Sequence, residues 1–230
     1  MQRSRQFQPV VIFDLDGTLF DTPRAIVEAF TYTFNELQEE IPQHRNIRCT
    51  IGMPLEKAFA SLMELPVEHE RVDNAVQEYQ RQFRQRILPK AEELLFAGVT
   101  EGLDKLLEQG MALSVATSKF ARSANALLES AKIDRYFDIV VCADEVTNTK
   151  PHPESGYKVL DHYKANVDAA IMVGDTTHDM LMAKAMGCAG LAVTYGVHTP
   201  ETLRTSDPKW LVDSFDQVTD VILQHFSVSD

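Results

Sequence analysis

Short, mostly apolar runs alternate with stretches of helical periodicity along most of the chain. The runs are Val10 to Leu15, Ala112 to Ala116, Ile139 to Cys142, Ala170 to Val173 and Leu191 to Val193, with a weaker one at Trp210 to Val212. Their length and β-branched content predict strands buried in a sheet. The helical patterns are Gly102 to Gln109, Ala121 to Ser130, Glu154 to Tyr163, Met180 to Met186 and Phe215 to His225. Strands alternating with helices predict an α/β fold, a doubly wound, Rossmann-like parallel sheet with helices on both faces.

The stretch from about Thr22 to Leu88 breaks that rhythm. It contains no convincing strand and reads as helices around Arg24–Glu39, Leu55–Met63 and Val67–Ile87. Ile41-Pro42, Gly52-Met53-Pro54 and Leu65-Pro66 supply the breaks between them, and Leu88-Pro89 closes the segment. The expected organisation is therefore an α/β core of residues 1–20 and 89–230 with an all-helical insertion at 21–88.

Open parallel sheets bind their ligands beyond the carboxyl ends of the strands, so the residues following each run are the ones to inspect. Asp14 and Asp16 close the first run, and residues two apart on a strand share a face. Two such carboxylates repel unless a cation or proton lies between them; Gly17 permits the sharp turn that follows, and Thr18 can hydrogen-bond locally. Thr117 and Ser118 follow the second run, where hydroxyls and backbone N–H groups suit phosphate oxygens or, equally, a helix cap. Lys150 sits in TKPHPE between prolines that limit where it can point, and an ammonium there could neutralise a carboxylate and bind phosphate. Gly174-Asp175 follows the fourth run, with Asp179 four residues further on. Both could face one site if a helix begins there, although Asp175 could instead cap that helix. Asp14, Asp175 and the backbone carbonyl of Asp16 would give three hard oxygen donors of the kind Mg²⁺ prefers.

Composition narrows the function classes. The chain has 230 residues, 44% of them hydrophobic, enough for one substantial core and a smaller second domain. A formal net charge of −12 argues against holding nucleic acid through its phosphates, yet leaves open an anionic ligand in a pocket where a metal and a few cations dominate. Cys49, Cys142 and Cys188 form no ligand or disulfide pattern and are expected to be buried, reduced thiols. The N-terminal apolar run is cut by Asp14 before it reaches secretory length, and no run is long enough to cross a membrane, so a cytoplasmic protein without a membrane partner is expected.

DLDGTLFDT, the VATS segment, TKPHPE and VGDTTHDM, in that order, resemble the four motifs of the haloacid dehalogenase superfamily. The helical insertion is similar to that family's helical cap, and within the superfamily the sequence looks most like phosphoglycolate phosphatases. The resemblance implies a Mg²⁺-dependent phosphatase acting on a small phosphorylated metabolite. Asp14 would be the nucleophile that forms an aspartyl-phosphate, and Asp16 the acid that protonates the leaving oxygen and then activates water. Thr117, with Ser118, would bind the transferring phosphoryl group, and Lys150 would stabilise its charge and orient Asp14. Asp14, Asp16 and Asp175 would hold the metal, with Asp179 a direct or supporting member of that set. The cap would close as a lid hinged near Phe20–Thr22 and Leu88–Lys90, with Arg24, Arg45, Arg48 and Lys57 as candidates for an anionic substrate tail or simply members of polar helix faces.

Asp16 separates reactions within the resemblance, since the dehalogenases lack an Asp at that position and P-type pumps carry Thr. A β-phosphoglucomutase-like isomerase also keeps this Asp, but usually with two basic residues in a cap loop that here reads Ile51-Gly52-Met53-Pro54-Leu55. Pyrophosphate and nucleotides fit the same core motifs, and a monomer and a homodimer are both compatible with them. A non-enzymatic relative would be expected to have lost Asp14, Asp16 or Asp175. His152, His178 and His198 have no ligand spacing and receive no catalytic role.

Overall fold

The computed structural model describes residues 8–51, 53 and 55–227. Contacts divide the chain into two compact units, one running to Asp21 and resuming at Leu95, the other Thr22–Leu94. The second passage between units thus falls beyond the Leu88-Pro89 break.

The first unit is built on six parallel strands: β1 (Val10–Phe13), β2 (Ala112–Ala116), β3 (Ile139–Val141), β4 (Ala170–Gly174), β5 (Ala189–Val193) and β6 (Trp210–Val212). Their order is β3-β2-β1-β4-β5-β6, the doubly wound arrangement expected. The chain winds outward from β1 through β2 to β3, then returns to the other side of β1 for β4, β5 and β6. The reversal lies between β1 and β4, where Phe13 pairs with Val173 and the Asp14 N–H donates to the Val173 carbonyl at 2.9 Å. That is the place where such sheets bind ligands.

Helices cover both faces: α5 (Val99–Glu108), α6 (Ala121–Ser130), α7 (Glu154–Tyr163), α8 (Thr177–Met186) and α10 (Phe215–Ser227). One layer packs Val10, Ile12, Ala116 and Met172 against Val159 and Leu160 of α7 and Met182 and Met186 of α8. On the alternate positions Phe13 stacks on Phe215 of α10 with ring centroids 5.8 Å apart. β1 is shorter than its apolar run because the Leu15 carbonyl accepts the N–H groups of Leu19 and Phe20, turning the chain out of the sheet. The short helix α9 (Pro200–Arg204) is capped by the Thr199 hydroxyl, which accepts the Thr202 N–H.

The other unit holds α1 (Thr22–Glu36), α2 (His44–Cys49), α3 (Leu55–Met63) and α4 (Glu70–Gln82). A turn of π-helix at Phe83–Ile87 and a 3-10 stretch at Leu88–Leu94, broken by non-helical dihedrals at Lys90, carry the chain out of it. Val27, Phe30 and Phe34 recur at helical spacing on α1, as Val72, Ala75, Val76 and Tyr79 do on α4. Phe59 of α3 joins them, its ring 4.6 Å from Phe30, 5.8 Å from Phe34 and 6.0 Å from Tyr79. The predicted helix from Val67 begins later, at Glu70, where His69 Nδ1 accepts the Arg71 N–H. Gly52 and Pro54, expected as a break, lie outside the described residues.

Cys142 is buried, but Cys49 is exposed, contrary to the expectation for all three thiols, because it ends a six-residue helix whose one buried residue is Ile47. No helix among the described residues is long and apolar enough to cross a membrane.

Phe59→Ala empties the centre of this aromatic cluster and is expected to destabilise the protein by about 3–5 kcal/mol. Lys57→Ala, on the exposed face of the same helix, should stay within about 0.5 kcal/mol. Denaturant titrations of the two variants check both values.

Candidate active site

Four of the expected residues converge at the reversal between β1 and β4. Asp14, Asp175 and Asp179 are buried, and each offers an oxygen within 4.8 Å of the others. Lys150 reaches the same point from the loop between β3 and α7. Its Nζ lies 2.8 Å from Asp14 Oδ1 and donates a hydrogen bond of 2.6 Å to Asp179 Oδ1, and its side chain is only 4% exposed. The one ammonium therefore pairs with both carboxylates, and beyond this ionic contact Asp14 Oδ1 has no other polar partner among the described residues.

The helix start explains how Asp175 and Asp179 divide their work. Thr176 is the N-cap of α8, and its N–H and hydroxyl both donate to Asp179 Oδ2, at 3.0 and 2.7 Å. Capping is therefore done by Thr176 and Asp179, which leaves Asp175 to face the site. Asp179 in turn spends both oxygens on local partners, one on Lys150 and one on Thr176.

Asp175 is held from two distant loops. Its Oδ1 accepts the Thr18 hydroxyl at 3.2 Å and its Oδ2 the Val197 N–H at 2.7 Å. Tyr195 fastens the same loops together, donating its hydroxyl to the Thr18 carbonyl at 2.9 Å. Glycines let the backbone close on this carboxylate. A Cβ on Gly17, which sits at φ +82°, would come within 2.1 Å of Asp175 Oδ2, and one on Gly196 within 2.3 Å of the same atom.

Asp16 goes elsewhere. It lies beyond the end of β1, and its carboxylate oxygens accept bonds of 3.0 and 3.1 Å from Lys119 Nζ. The turn at Gly17 gives each carboxylate its own ammonium, and the Asp16 side chain stands outside the acidic cluster, so the metal donor expected from Asp16 is its backbone carbonyl. Thr117 is buried at the end of β2, its Oγ1 accepting the Lys119 N–H at 3.1 Å, whereas Ser118 is exposed. In the helical unit, Arg24, Arg45, Arg48 and Lys57 are all exposed, and Arg24 donates to the Glu93 carbonyl at 2.7 Å.

Lys119 and the Tyr195–Val197 loop were not anticipated as site residues. His198 also has a defined place without being catalytic, its Nδ1 accepting the Thr177 N–H at 3.1 Å.

The charge balance at this point is uneven, with three carboxylates facing one ammonium. Burial, opposed by Lys150 and reinforced by Asp179, pushes the Asp14 carboxyl up to about 7. Burial and repulsion from Asp14 and Asp179 push Asp175 up to about 8. Burial disfavours the Lys150 charge, but Asp14 and Asp179 outweigh it and hold the ammonium above its ordinary value. Among the described residues the cluster's candidate metal ligands are all carboxylate oxygens, and a buried oxygen of Asp14 lacks an aligned partner. A hard divalent cation fits this set and would cancel the excess charge.

A doubly wound sheet with this carboxylate–lysine group at its reversal defines a class of α/β enzymes, and comparison with known proteins gives the family. Residues 11–193 match the haloacid dehalogenase-like hydrolases, and the chain belongs to that family. It is 51% identical over 211 residues to the probable phosphatase IndB of Dickeya dadantii, covering 92% of each chain. It is 32% identical to the pyrophosphatase PpaX of Halalkalibacterium halodurans, over 92% of this chain and 95% of that one. A solved haloacid dehalogenase-like family hydrolase from Streptococcus pneumoniae superposes with a TM-score of 0.72 at 29% identity, covering 93% of this chain and 98% of the other.

The raised carboxylates carry a pH signature. A carboxyl whose folded pKa is raised binds more protons folded than unfolded between the two values, so it lowers stability as pH rises through that window. In chelator-treated protein, Asp14→Asn should therefore melt higher than the parent at pH 8, and the gap should shrink toward pH 5. Added Mg²⁺ should raise the parent's melting temperature at pH 8 more than the variant's. Melting curves that show the parent more stable than Asp14→Asn in chelator at pH 8 would contradict this assignment.

Proposed function

We propose that the protein is a Mg²⁺-dependent phosphatase that hydrolyses a small phosphorylated metabolite through a phosphoryl group carried on Asp14. The observation that carries the reading is Asp14 itself, a buried carboxylate 2.8 Å from the Lys150 ammonium, with an oxygen that has no aligned hydrogen bond, beside Asp175. The family membership and the phosphatase names of its relatives support the same chemistry.

In this reading an Asp14 oxygen attacks phosphorus and forms the new O–P bond while the bond to the leaving oxygen breaks. The leaving oxygen keeps the bonding pair and takes a proton from Asp16. The Asp16 carboxylate then accepts a proton from water as the water oxygen attacks phosphorus. Cleavage of the O–P bond to Asp14 restores its carboxylate and releases phosphate. Lys150 keeps Asp14 oriented and offsets charge on the phosphoryl oxygens. The Thr117 hydroxyl, fixed at the end of β2, contributes a further contact to those oxygens, and the exposed Ser118 a weaker one.

Asp14, Asp175 and the Asp16 carbonyl would be the donors for Mg²⁺, with Asp179 anchoring Lys150 and completing the acidic group. When bound, Mg²⁺ supplies charge neutralisation and fixes the phosphate's orientation. The helical unit Thr22–Leu94 is the cap in this reading, and its residues choose the substrate. Fewer basic residues than a mutase usually carries at Ile51–Leu55 favour transfer to water over transfer to a sugar. The similarity to a pyrophosphatase over 92% of the chain makes inorganic pyrophosphate the second substrate to try, after phosphoglycolate and related phosphoesters.

The mechanism is tested with p-nitrophenyl phosphate and Mg²⁺. Asp14→Asn should lower kcat by at least about a thousandfold. Near-normal turnover by a folded, metal-loaded Asp14→Asn protein would overturn the role given to Asp14. A phosphate-release screen over phosphoglycolate, pyrophosphate, sugar phosphates and nucleotides, ranked by kcat/KM, identifies the substrate.

A further inference from the structure

We infer that the Tyr195 hydroxyl is a positioning group for the cation site, joining the two segments that grip Asp175 and so fitting that carboxylate to a small divalent cation rather than a larger one. The inference rests on the reading of Asp175 as a metal donor given above and adds a residue that acts on the carboxylate through others.

Asp175 follows β4 and lies with Asp14 and Asp179 in one buried group whose oxygens are within 4.8 Å of one another. Each of its oxygens accepts one donor. The Thr18 hydroxyl reaches Oδ1 at 3.2 Å from the turn after β1, and the Val197 N–H reaches Oδ2 at 2.7 Å from the loop after β5. Such donors favour the ionised carboxylate, the form a cation ligand needs. They also occupy one lone-pair direction on each oxygen and so limit the directions left for a metal.

This grip is as firm as the spacing between the two segments. They come from the strands on either side of β4 in the sheet, and Tyr195 spans the gap. Its hydroxyl crosses from the loop after β5 and donates to the Thr18 carbonyl at 2.9 Å. One end of that bond is therefore the residue whose hydroxyl holds Oδ1, and the other lies two residues before the N–H that holds Oδ2.

The ring is placed independently of the hydroxyl. It packs on Phe96 with ring centroids 4.4 Å apart, and the Phe96 N–H donates to the Leu19 carbonyl at 3.1 Å. The start of the loop is pinned by the Thr194 N–H, which donates to the Val212 carbonyl at 2.9 Å. A phenylalanine would pack on Phe96 as well, so what the hydroxyl adds is the link between the segments. Burial and the Asp175 charge hold that hydroxyl above its ordinary pKa, which keeps it a donor through the neutral range.

Mg²⁺ and Ca²⁺ ask different things of such a site. Mg²⁺ takes oxygens at about 2.0–2.1 Å and tolerates little departure from an octahedron, whereas Ca²⁺ accepts about 2.3–2.6 Å and irregular shells. A carboxylate held from two sides suits the first ion. Loosened on one side, it still serves the second. Loss of the Tyr195 hydroxyl should therefore cost Mg²⁺ affinity more than Ca²⁺ affinity. A hydroxyl that served folding alone would leave both affinities of the folded protein as they are.

The test measures binding of the metals alone, without substrate. Chelator-stripped parent, Tyr195→Phe, Thr18→Val and Asp175→Asn are each titrated with Mn²⁺, and Mg²⁺ or Ca²⁺ then displaces it, with free Mn²⁺ read by electron paramagnetic resonance. Melting curves in chelator establish that each protein is folded. Tyr195→Phe should weaken Mg²⁺ binding about tenfold and Ca²⁺ binding much less. Thr18→Val removes the hydroxyl on Oδ1, keeps the carbonyl that Tyr195 uses, and should shift the ratio the same way. Tyr195→Phe should cost less in the Thr18→Val background than in the parent, because the two act on one carboxylate.

Unchanged Mg²⁺ affinity in Tyr195→Phe, or equal losses for the two ions, with Mg²⁺ binding abolished in Asp175→Asn, would overturn the role of Tyr195 and leave the cation site standing. Full Mg²⁺ binding by Asp175→Asn would remove Asp175 as a donor and the inference with it.

Discussion

Three carboxylates buried beside one ammonium are the constraint around which the α/β unit is organised. Placing Asp14, Asp175 and Asp179 together is unfavourable, because each loses water and repels the others. The fold offsets this with donors supplied from several loops: Lys150, the Thr18 hydroxyl, the Val197 N–H and the N-cap of α8. Gly17 and Gly196 let the backbone approach Asp175 at distances no side chain would allow. The remaining imbalance is what a bound divalent cation would offset.

The sheet order brings this group together. With β1 and β4 side by side and in register, the residues after Phe13 and after Gly174 emerge next to each other. The apolar layers beneath, with Phe13 on Phe215 and Met172 near Met182, keep that register fixed. A single-residue slip in either strand would exchange the inward and outward side chains and carry Asp14 away from Lys150. The helical unit has its own aromatic centre at Phe30, Phe59 and Tyr79.

Much of this was legible because it is local in sequence. The strands are short apolar runs, and Asp14, Lys150 and Asp175 each follow one of them. Boundaries moved where a local contact overrode the pattern. β1 stops at Phe13 because Leu15 begins a turn, and α8 starts at Thr177, earlier than its apolar residues suggested. The Thr176-to-Asp179 spacing was a readable capping signal for that start. Helices α2 and α9 are too short to show a period. Lys119 and Val197 could not be found this way. Their contacts with Asp16 and Asp175 are long-range, and Val197 acts through a backbone N–H that any residue but proline carries.

In the proposed mechanism Asp14 is both a cation ligand and the residue whose oxygen receives the phosphoryl group. A crystal structure of the protein with Mn²⁺ in place of Mg²⁺ and with beryllofluoride tests it most directly. The account predicts one anomalous peak between Asp14 and Asp175, and a beryllium centre bonded to the Asp14 oxygen that faces away from that peak's nearest carboxylate. A metal bound without Asp175, or beryllofluoride carried by Asp16 or Asp179, would contradict it.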